Sequence, residues 1–473
     1  MKYVYLYLIL FIFFTFSLKI LSQESPNIIL CMSDDQGWGQ TGYNNHPVLQ
    51  TPNLDEMAAN GLRFNRFYAG SPVCSPTRAS VLTGRSNDRT AVYDHGYPLR
   101  KQEKTIAQAL KEAGYMTAHF GKWHLNGHRG PGAPILKDDE RNPSYFGFDE
   151  WLSVSNFFDI NPVMSRNGIF EELQGESSII IVNEALKFIE QAINNNRPFF
   201  IVIWFGSPHS PWMACDEDKK NFYQFEDPIQ NYYGEIISMD KSIGALREGL
   251  RNMKIENNTL LWFNSDNGGI ENFGTESVGG LRGFKKELYE GGLRVPAVIE
   301  WPELIEPGRT TDFPAVTMDI FPTIAEIVAL PETCMIRPLD GISIKSLFIE
   351  DVKKRDKPIL FRYLGKGAII DNNYKLVVQD ITESKFELYD LEKDPVESVN
   401  LLSKKRKIAK RMIQNYNDWI SSVEASIGGK DYQTGLKETD PDPIYWSDVP
   451  DYQPYLEQWK NRPEYKEFLQ KKY

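Results

Sequence analysis

Cysteine is scarce: there are four in 473 residues, at positions 31, 74, 215 and 334, and no two stand at a paired spacing. That count excludes a dense disulfide framework, although four cysteines could still form two bridges. Cys31 lies in the apolar run NIILCM and reads as core. No basic run stands out either. With 53 Lys and Arg against 64 Asp and Glu, the formal charge is −11, which argues against nucleic acid as a partner. An acidic chain also repels anions at long range, so any anion site must be local, built from a few placed cations and amides. No internal repeat divides the chain. The one long apolar run, from Tyr3 to Phe16, follows a single lysine and gives way to small and polar residues near Ser22. This is the pattern of a secretory signal peptide, residues 1–22, rather than of a membrane anchor. No cysteine sits near the cleavage point, which argues against a lipid anchor. The mature chain is expected to begin near Gln23 and to be periplasmic or secreted.

What is present is an alternation of strand and helix patterns. NIILCM (27–32), MTAHF (116–120), RPFFIVIWF (197–205) and NTLLWFNS (258–265) read as buried strands. Between them lie helical patterns in NLDEMAANGL, in TIAQALKEAG with Gly114 as its cap, in IIIVNEALKFIEQAI and in NYYGEIISMDKSIGALREGLRNM. This order predicts an α/β fold with a large, mainly parallel sheet between helices. The last third changes character. PILFRYL, YKLVVQ and FELYDLEKDP read as short antiparallel strands, followed by a helix in KKRKIAKRMIQNYNDWISSV. The expected division is a catalytic domain over 23–345, a smaller α+β subdomain over 346–427 and an arm over 428–473. The arm's Pro and Asp content suits a linker, but its aromatics from Tyr432 onward predict packing against the body.

In an open α/β sheet, function collects beyond the carboxyl ends of the strands. Four predicted strands end in polar groups: Ser33, Asp34 and Asp35; Gly121, Lys122, Trp123 and His124; Pro208, His209 and Ser210; and Ser265, Asp266 and Asn267. Read alone, each acidic pair is a turn or a cap. Together, Asp34, Asp35, Asp266 and Asn267 are hard oxygen donors that suit Ca²⁺ or Mg²⁺ better than Zn²⁺. Unpaired carboxylates brought together would repel, which calls for a cation among them. The stretch SPVCSPTRASVLTGR, residues 71–85, adds a cysteine at the mouth of a helix. Ser75 is expected to cap it, with Pro76 in the first position and Gly84 closing it. Cys74 would then precede the helix N-terminus, with Arg78 one turn on and facing it. A thiolate nucleophile fits this setting, and so does a buried, inert cysteine. Neither explains a soft sulfur facing a hard cation.

CSPTR with ASVLTGR closely resembles the signature of the type I sulfatases of the alkaline phosphatase superfamily, in which the cysteine is oxidised to Cα-formylglycine. The resemblance extends to SDDQGWG, GKWHLN (121–126), SPHSP (207–211), SDNGG (265–269), LRGFKKELYEGGLRVP (281–296) and ELYDLEKDPVESVNL, about residues 26–401 in all. Within the family it is similar to bacterial polysaccharide and N-acetylgalactosamine-6-sulfatase-like sulfatases. It implies one Ca²⁺ held by Asp34, Asp35, Asp266, Asn267 and the modified Cys74, whose hydrate attacks the sulfate ester. It further implies that Arg78 orients the hydrate, that His124 bonds its other hydroxyl and serves as base, and that Lys122 and Lys285 bind sulfate oxygens. His209 is implied to protonate the leaving oxygen. Lys285 is preferred to Lys286 because it stands five residues before the Glu290 of EGG. His128, Arg129 and Arg282 are expected to contact the sugar; His119 reads as core, and His46 and His95 as loop residues.

These expectations describe an exported, calcium-dependent sulfatase acting on carbohydrate such as ulvan, carrageenan or glycosaminoglycan oligosaccharides, matured by a formylglycine-generating enzyme. Two competitors share the scaffold. One is a phosphonate monoester hydrolase or phosphodiesterase; the other is a non-catalytic glycan-binding relative, which the filled catalytic positions argue against.

Overall fold

The computed structural model describes residues 25–472; the segment read as a signal peptide lies outside them. A ten-stranded mixed sheet forms the frame, in the order Arg309–Thr311, Leu62–Phe64, Ala297–Glu300, Thr259–Ser265, Asn27–Ser33, Phe199–Trp204, Met116–Lys122, Glu150–Val154, Val163–Arg166, Ile169–Glu172. Its five middle strands, from Thr259–Ser265 to Glu150–Val154, run parallel. The edge strands turn antiparallel, apart from Arg309–Thr311, which pairs parallel with Leu62–Phe64. The alternation of side chains along a strand divides the apolar residues between two faces. Ile29, Cys31, Ile201 and Ile203 meet helices Ser177–Asn194 and Asp227–Asn252. Ile28, Leu30, Met32, Phe200 and Val202 meet helices Cys74–Thr83, Ile106–Glu112 and Ile320–Ile327. Both faces are covered, as near-continuous apolar strands require.

Several sequence expectations need adjustment. Strand Met116–Lys122 runs two residues past MTAHF. Helix Ile106–Glu112 is closed by Gly114 in the left-handed conformation (φ 94°), as expected, with the Gly114 and Tyr115 amides on the Lys111 and Leu110 carbonyls, and Thr105 and Gln108 form a capping box at its start. The small sheet has four antiparallel strands, Ile359–Tyr363, Lys366–Asp371, Tyr374–Asp380 and Lys385–Asp390; the second is not among the strands expected from sequence. Its Gly367 looks like a turn residue in sequence. In the fold it lets Tyr416 approach, for a Cβ there would stand 1.8 Å from the tyrosine hydroxyl. One face of this sheet packs on helix Arg406–Ile427. The other packs on Tyr68, Val73, Leu288 and Leu293 of the large body, directly behind Cys74. All four cysteines are free thiols.

The tail folds. Trp446, Tyr452, Trp459, Tyr465 and Leu469 make an apolar cluster with Ala133 and Val163. Ile444 and Tyr445 pair in parallel with His128 and Arg129, and the hydroxyls of Tyr452 and Tyr465 donate to the carbonyls of Pro134 and Gly132 at 2.8 and 2.7 Å. Among the described residues, no helix is long and apolar enough to cross a membrane.

Trp446 is fully buried at the centre of the tail cluster. Trp446→Ala is expected to remove about 3 kcal/mol of stability in urea unfolding and to open the tail to protease. A loss under about 0.5 kcal/mol, the range of ordinary surface changes, would contradict the packing described.

Candidate active site

The register of the parallel strands brings the site together. Ser33 lies opposite Ser265, Met32 opposite Trp204, and Trp204 opposite Gly121. The four strands therefore end at one level, and the residues that follow them share one depression, as carboxyl ends in such sheets do. Two of those residues, Asp35 (φ 68°) and His124 (φ 54°), adopt the left-handed backbone that non-glycine residues avoid. Such conformations cost of order 1–3 kcal/mol each and gather where a side chain must be aimed.

Helix Cys74–Thr83 supplies the fifth wall. Its cap is Val73, in extended conformation, so Cys74 is the first helical residue rather than the one before it. Ser75 does not cap: its hydroxyl donates to the His124 carbonyl at 2.7 Å and accepts from the Gly96 amide at 2.8 Å. Gly84 closes the helix in the left-handed conformation, as expected. The loop carrying Lys285 is tied down by backbone bonds from Lys285 to Gly269 and from Lys286 to Pro72, both 2.9 Å. This places it between the SDNGG segment and Cys74.

The polar core that results is almost completely dry. Asp34, Asp266, Asn267, Arg78 and Lys122 are 0% exposed, and Cys74 2%. The His209 and Lys285 side chains, at 16% and 15%, face the opening. Arg78 donates to Asp266 Oδ2 at 2.8 Å and to the Lys122 carbonyl at 3.1 Å, lies 3.5 Å from Asp34 Oδ2, and stacks over Trp204. Its bonds go to the carboxylates and none to the thiol it was expected to face. Lys122 binds Asp34, Lys285 binds Asp35 at 2.5 Å, and His209 Nε2 lies 3.8 Å from Asp35. Cys74 Sγ lies 3.3 Å from His124 Nδ1. The three carboxylates are thus not unpaired: Arg78, Lys122 and Lys285 match them one for one.

Burial and these partners set the protonation states. Burial alone would raise Asp34, but Lys122, His209 and Arg78 hold it well below the usual carboxylate range. Burial and the neighbouring Asp34 carry Asp266 the other way, to about 7, against the pull of Arg78. Burial holds His124 far below an ordinary histidine, hence neutral, and brings His209 to about 4 against the pull of Asp34 and Asp35. Burial also raises Cys74, despite Lys122 and Lys285. A thiolate nucleophile is therefore not what this setting favours.

Two buried oxygens, Asp34 Oδ1 and Asn267 Oδ1, have no hydrogen-bond partner. Single ligand atoms of Asp34, Asp35 and His209 lie within 4.8 Å of one another. Orphaned hard oxygens beside carboxylates fit a hard divalent cation. The histidine nitrogen is the odd donor in that set; Asp266 and Asn267 lie against Asp35, whose amide donates to Asp266 Oδ1 at 3.1 Å and whose carboxylate accepts from Asn267 Nδ2 at 2.7 Å.

The remaining predicted residues lie around this core. His119 is buried in its strand and bonded to Ser153, and His46 binds the turn at Val48 and Leu49. His128 is buried against Asn126 and Tyr452, and Arg129 lies over the Tyr97 ring. Arg282 bonds Tyr389, Tyr289 and the Glu397 carbonyl, which ties the small sheet to the body. Neither His128, Arg129 nor Arg282 has a hydrogen bond into the carboxylate cluster. Sequence reasoning passed over Phe157, which stacks on His209 at 5.1 Å, and Tyr363, which packs in one cluster with Val73, the neighbour of Cys74. Tyr363 comes from the small sheet, and no local pattern in the sequence links it to the site.

Comparison with known proteins places the geometry in a family. The profile described as Sulfatase matches residues 26–329, and that of the N-sulphoglucosamine sulphohydrolase C-terminal region matches 281–422. The N-acetylgalactosamine-6-sulfatase of Mus musculus is 30% identical over 388 residues, 74% of this chain and 72% of that protein. The ulvan-active sulfatase of Formosa agariphila is 27% identical over 411 residues, 80% of this chain and 77% of that protein. The crystal structure of Ps i-CgsB in complex with k-i-k-neocarrahexaose superposes with a TM-score of 0.75 at 24% identity, covering 94% of this chain and all of that one.

A divalent cation in the carboxylate core is expected to raise Tm, by the equivalent of about 3 kcal/mol at a hundredfold excess over its Kd. Chelator should reverse the rise, and Asp266→Ala and Asn267→Ala should each remove most of it. Equal shifts in these variants and the wild type, read by scanning calorimetry, would place the ion elsewhere.

Proposed function

The chain belongs to the sulfatase family, as a type I sulfatase of the alkaline phosphatase superfamily and a sulfuric ester hydrolase, and from that premise we propose that it is exported and releases sulfate from sulfated carbohydrate. The proposed substrates are oligosaccharides of ulvan, carrageenan or glycosaminoglycan. The relatives above act on or hold different sugars by name, which supports a carbohydrate ester without selecting one. In this reading residues 23–345 are the catalytic domain, 346–427 a subdomain and 428–473 an arm, and residues 1–22 direct export to the periplasm or medium.

The observation that carries the proposal is the setting of Cys74: a thiol that burial keeps protonated, 3.3 Å from a neutral histidine, among oxygens that want a hard partner. Converted to Cα-formylglycine by a maturation enzyme, residue 74 would supply an oxygen nucleophile and a group able to expel sulfate afterwards. Ca²⁺, held by Asp34, Asp35, Asp266, Asn267 and the modified residue 74, would supply Lewis-acid polarisation of a sulfate oxygen.

The chain's own residues do the rest. Arg78 fixes Asp34 and Asp266 relative to the nucleophile's helix and, through them, orients the hydrate at residue 74. His124 Nδ1 takes the proton from the residue 74 side chain, a role for which its neutrality suits it. Lys122 and Lys285 bind the sulfate oxygens where charge grows in the transition state. His209 Nε2 gives its proton to the leaving sugar oxygen. The His209 value of about 4 belongs to the chain alone, and an anionic sulfate beside the ring raises it. Three carboxylates balanced by three cations leave the core near neutral. A divalent ion would add two positive charges, and the single negative charge of a sulfate ester would offset one of them.

Protein co-expressed with a formylglycine-generating enzyme is expected to release sulfate from at least one oligosaccharide in a panel of these polysaccharides. Cys74→Ala made the same way should lose at least about 1000-fold in rate. Equal rates in the two would refute the role of Cys74. Faster hydrolysis of a matched phosphodiester or phosphonate than of the sulfate would move the assignment to that chemistry.

A further inference from the structure

A single loop, residues 93–97, is held by three separate parts of the chain. From the nucleophile's helix, Ser75 Oγ accepts the Gly96 amide at 2.8 Å. From the small sheet, the Tyr363 hydroxyl donates to Asp94 Oδ1 at 3.1 Å. From the segment after His124, Arg129 Nε reaches the His95 carbonyl at 3.4 Å while its guanidinium lies over the Tyr97 ring. The C-terminal arm then pairs with Arg129 through Tyr445. Gly96 (φ 76°) is glycine for a reason: a Cβ there would stand 2.7 Å from Arg129 Cγ. A surface loop fastened from three directions is built to hold something in place.

What it holds is an acid–imidazole pair. Asp94 Oδ1 accepts the His95 amide at 2.8 Å and lies 3.2 Å from His95 Nδ1. Three groups converge on that oxygen, and among the described residues Asp94 Oδ2 and His95 Nε2 have no partner. The His95 side chain is 47% exposed. The pair lies close to the chemistry. Gly96, the next residue, donates its amide to Ser75, whose hydroxyl bonds the His124 carbonyl, and Tyr363, which anchors Asp94, packs with Val73 beside Cys74.

We propose that Asp94 and His95 form a saccharide subsite beside the sulfate pocket, binding a hydroxyl or amide of the sugar that carries the ester. The proposal rests on the sulfatase reading above. A free carboxylate oxygen accepts and an imidazole nitrogen donates or accepts, which together satisfy a sugar hydroxyl. The carboxylate also repels a second sulfate there, so the subsite selects a sugar with a free hydroxyl or amide at that position. Tyr363 and Arg129 are positioning residues that aim the pair.

The test uses matured full-length protein, the panel oligosaccharide it hydrolyses fastest and 4-nitrophenyl sulfate, which has an ester but no sugar. For Asp94→Asn and for His95→Gln, the ratio of kcat/KM on the oligosaccharide to that on the aryl sulfate is expected to fall about 10- to 100-fold. Tyr363→Phe, which removes only the hydroxyl that aims Asp94, should move the ratio the same way by less. An unchanged ratio, whether both rates fall together or neither does, overturns the subsite and leaves the sulfatase reading standing. A wild type that hydrolyses neither compound overturns both.

Discussion

Everything at the site depends on one buried guanidinium. Arg78 bridges Asp266 and Asp34, which follow two adjacent strands, and it enters from a helix packed on the face of the sheet. Removing one partner from a buried ion network leaves an uncompensated charge at a cost of about 3–5 kcal/mol. Backbone pairing brings strand ends to a common level but cannot by itself hold two carboxylates together in a dry pocket. The arginine does so, and Lys122 and Lys285 complete the charge balance. This near balance lets the core exist without a bound ion.

The second constraint is how the walls are fastened. The small sheet backs Val73, next to Cys74, and delivers Tyr363 to the same cluster and to Asp94. The arm pairs with the segment that follows His124 and packs its aromatics beneath it. The pieces that look accessory in a linear map thus pack against the segments that carry Cys74 and His124.

Much of this is legible in sequence, and the misses share a cause. Four apolar runs ending in Asp, Lys, His or Asn are enough to place a site, because in a parallel sheet strand ends and site coincide. Local rules fail where a long-range contact outbids them. Ser75 has the sequence of a cap, yet its hydroxyl is taken by the His124 carbonyl. Lys366–Asp371 escapes a local reading because Gly367 answers to Tyr416, which arrives from the helix Arg406–Ile427 on the far side of two further strands of sequence. Arg282 has the type expected of a sugar ligand, yet three hydrogen bonds commit it to holding the small sheet. The unpaired carboxylates inferred from sequence prove to be paired, since charge partners come from elements that no spacing rule connects.

The most direct test of the account is the mass of the peptide containing Cys74, measured on protein that is active on a sulfate ester. The account predicts that the active fraction carries the aldehyde, with the cysteine sulfur and two hydrogens replaced by one oxygen. Full activity from protein whose residue 74 is an intact thiol would contradict it, because the neighbouring Ser75 hydroxyl is committed to the His124 carbonyl and the Gly96 amide.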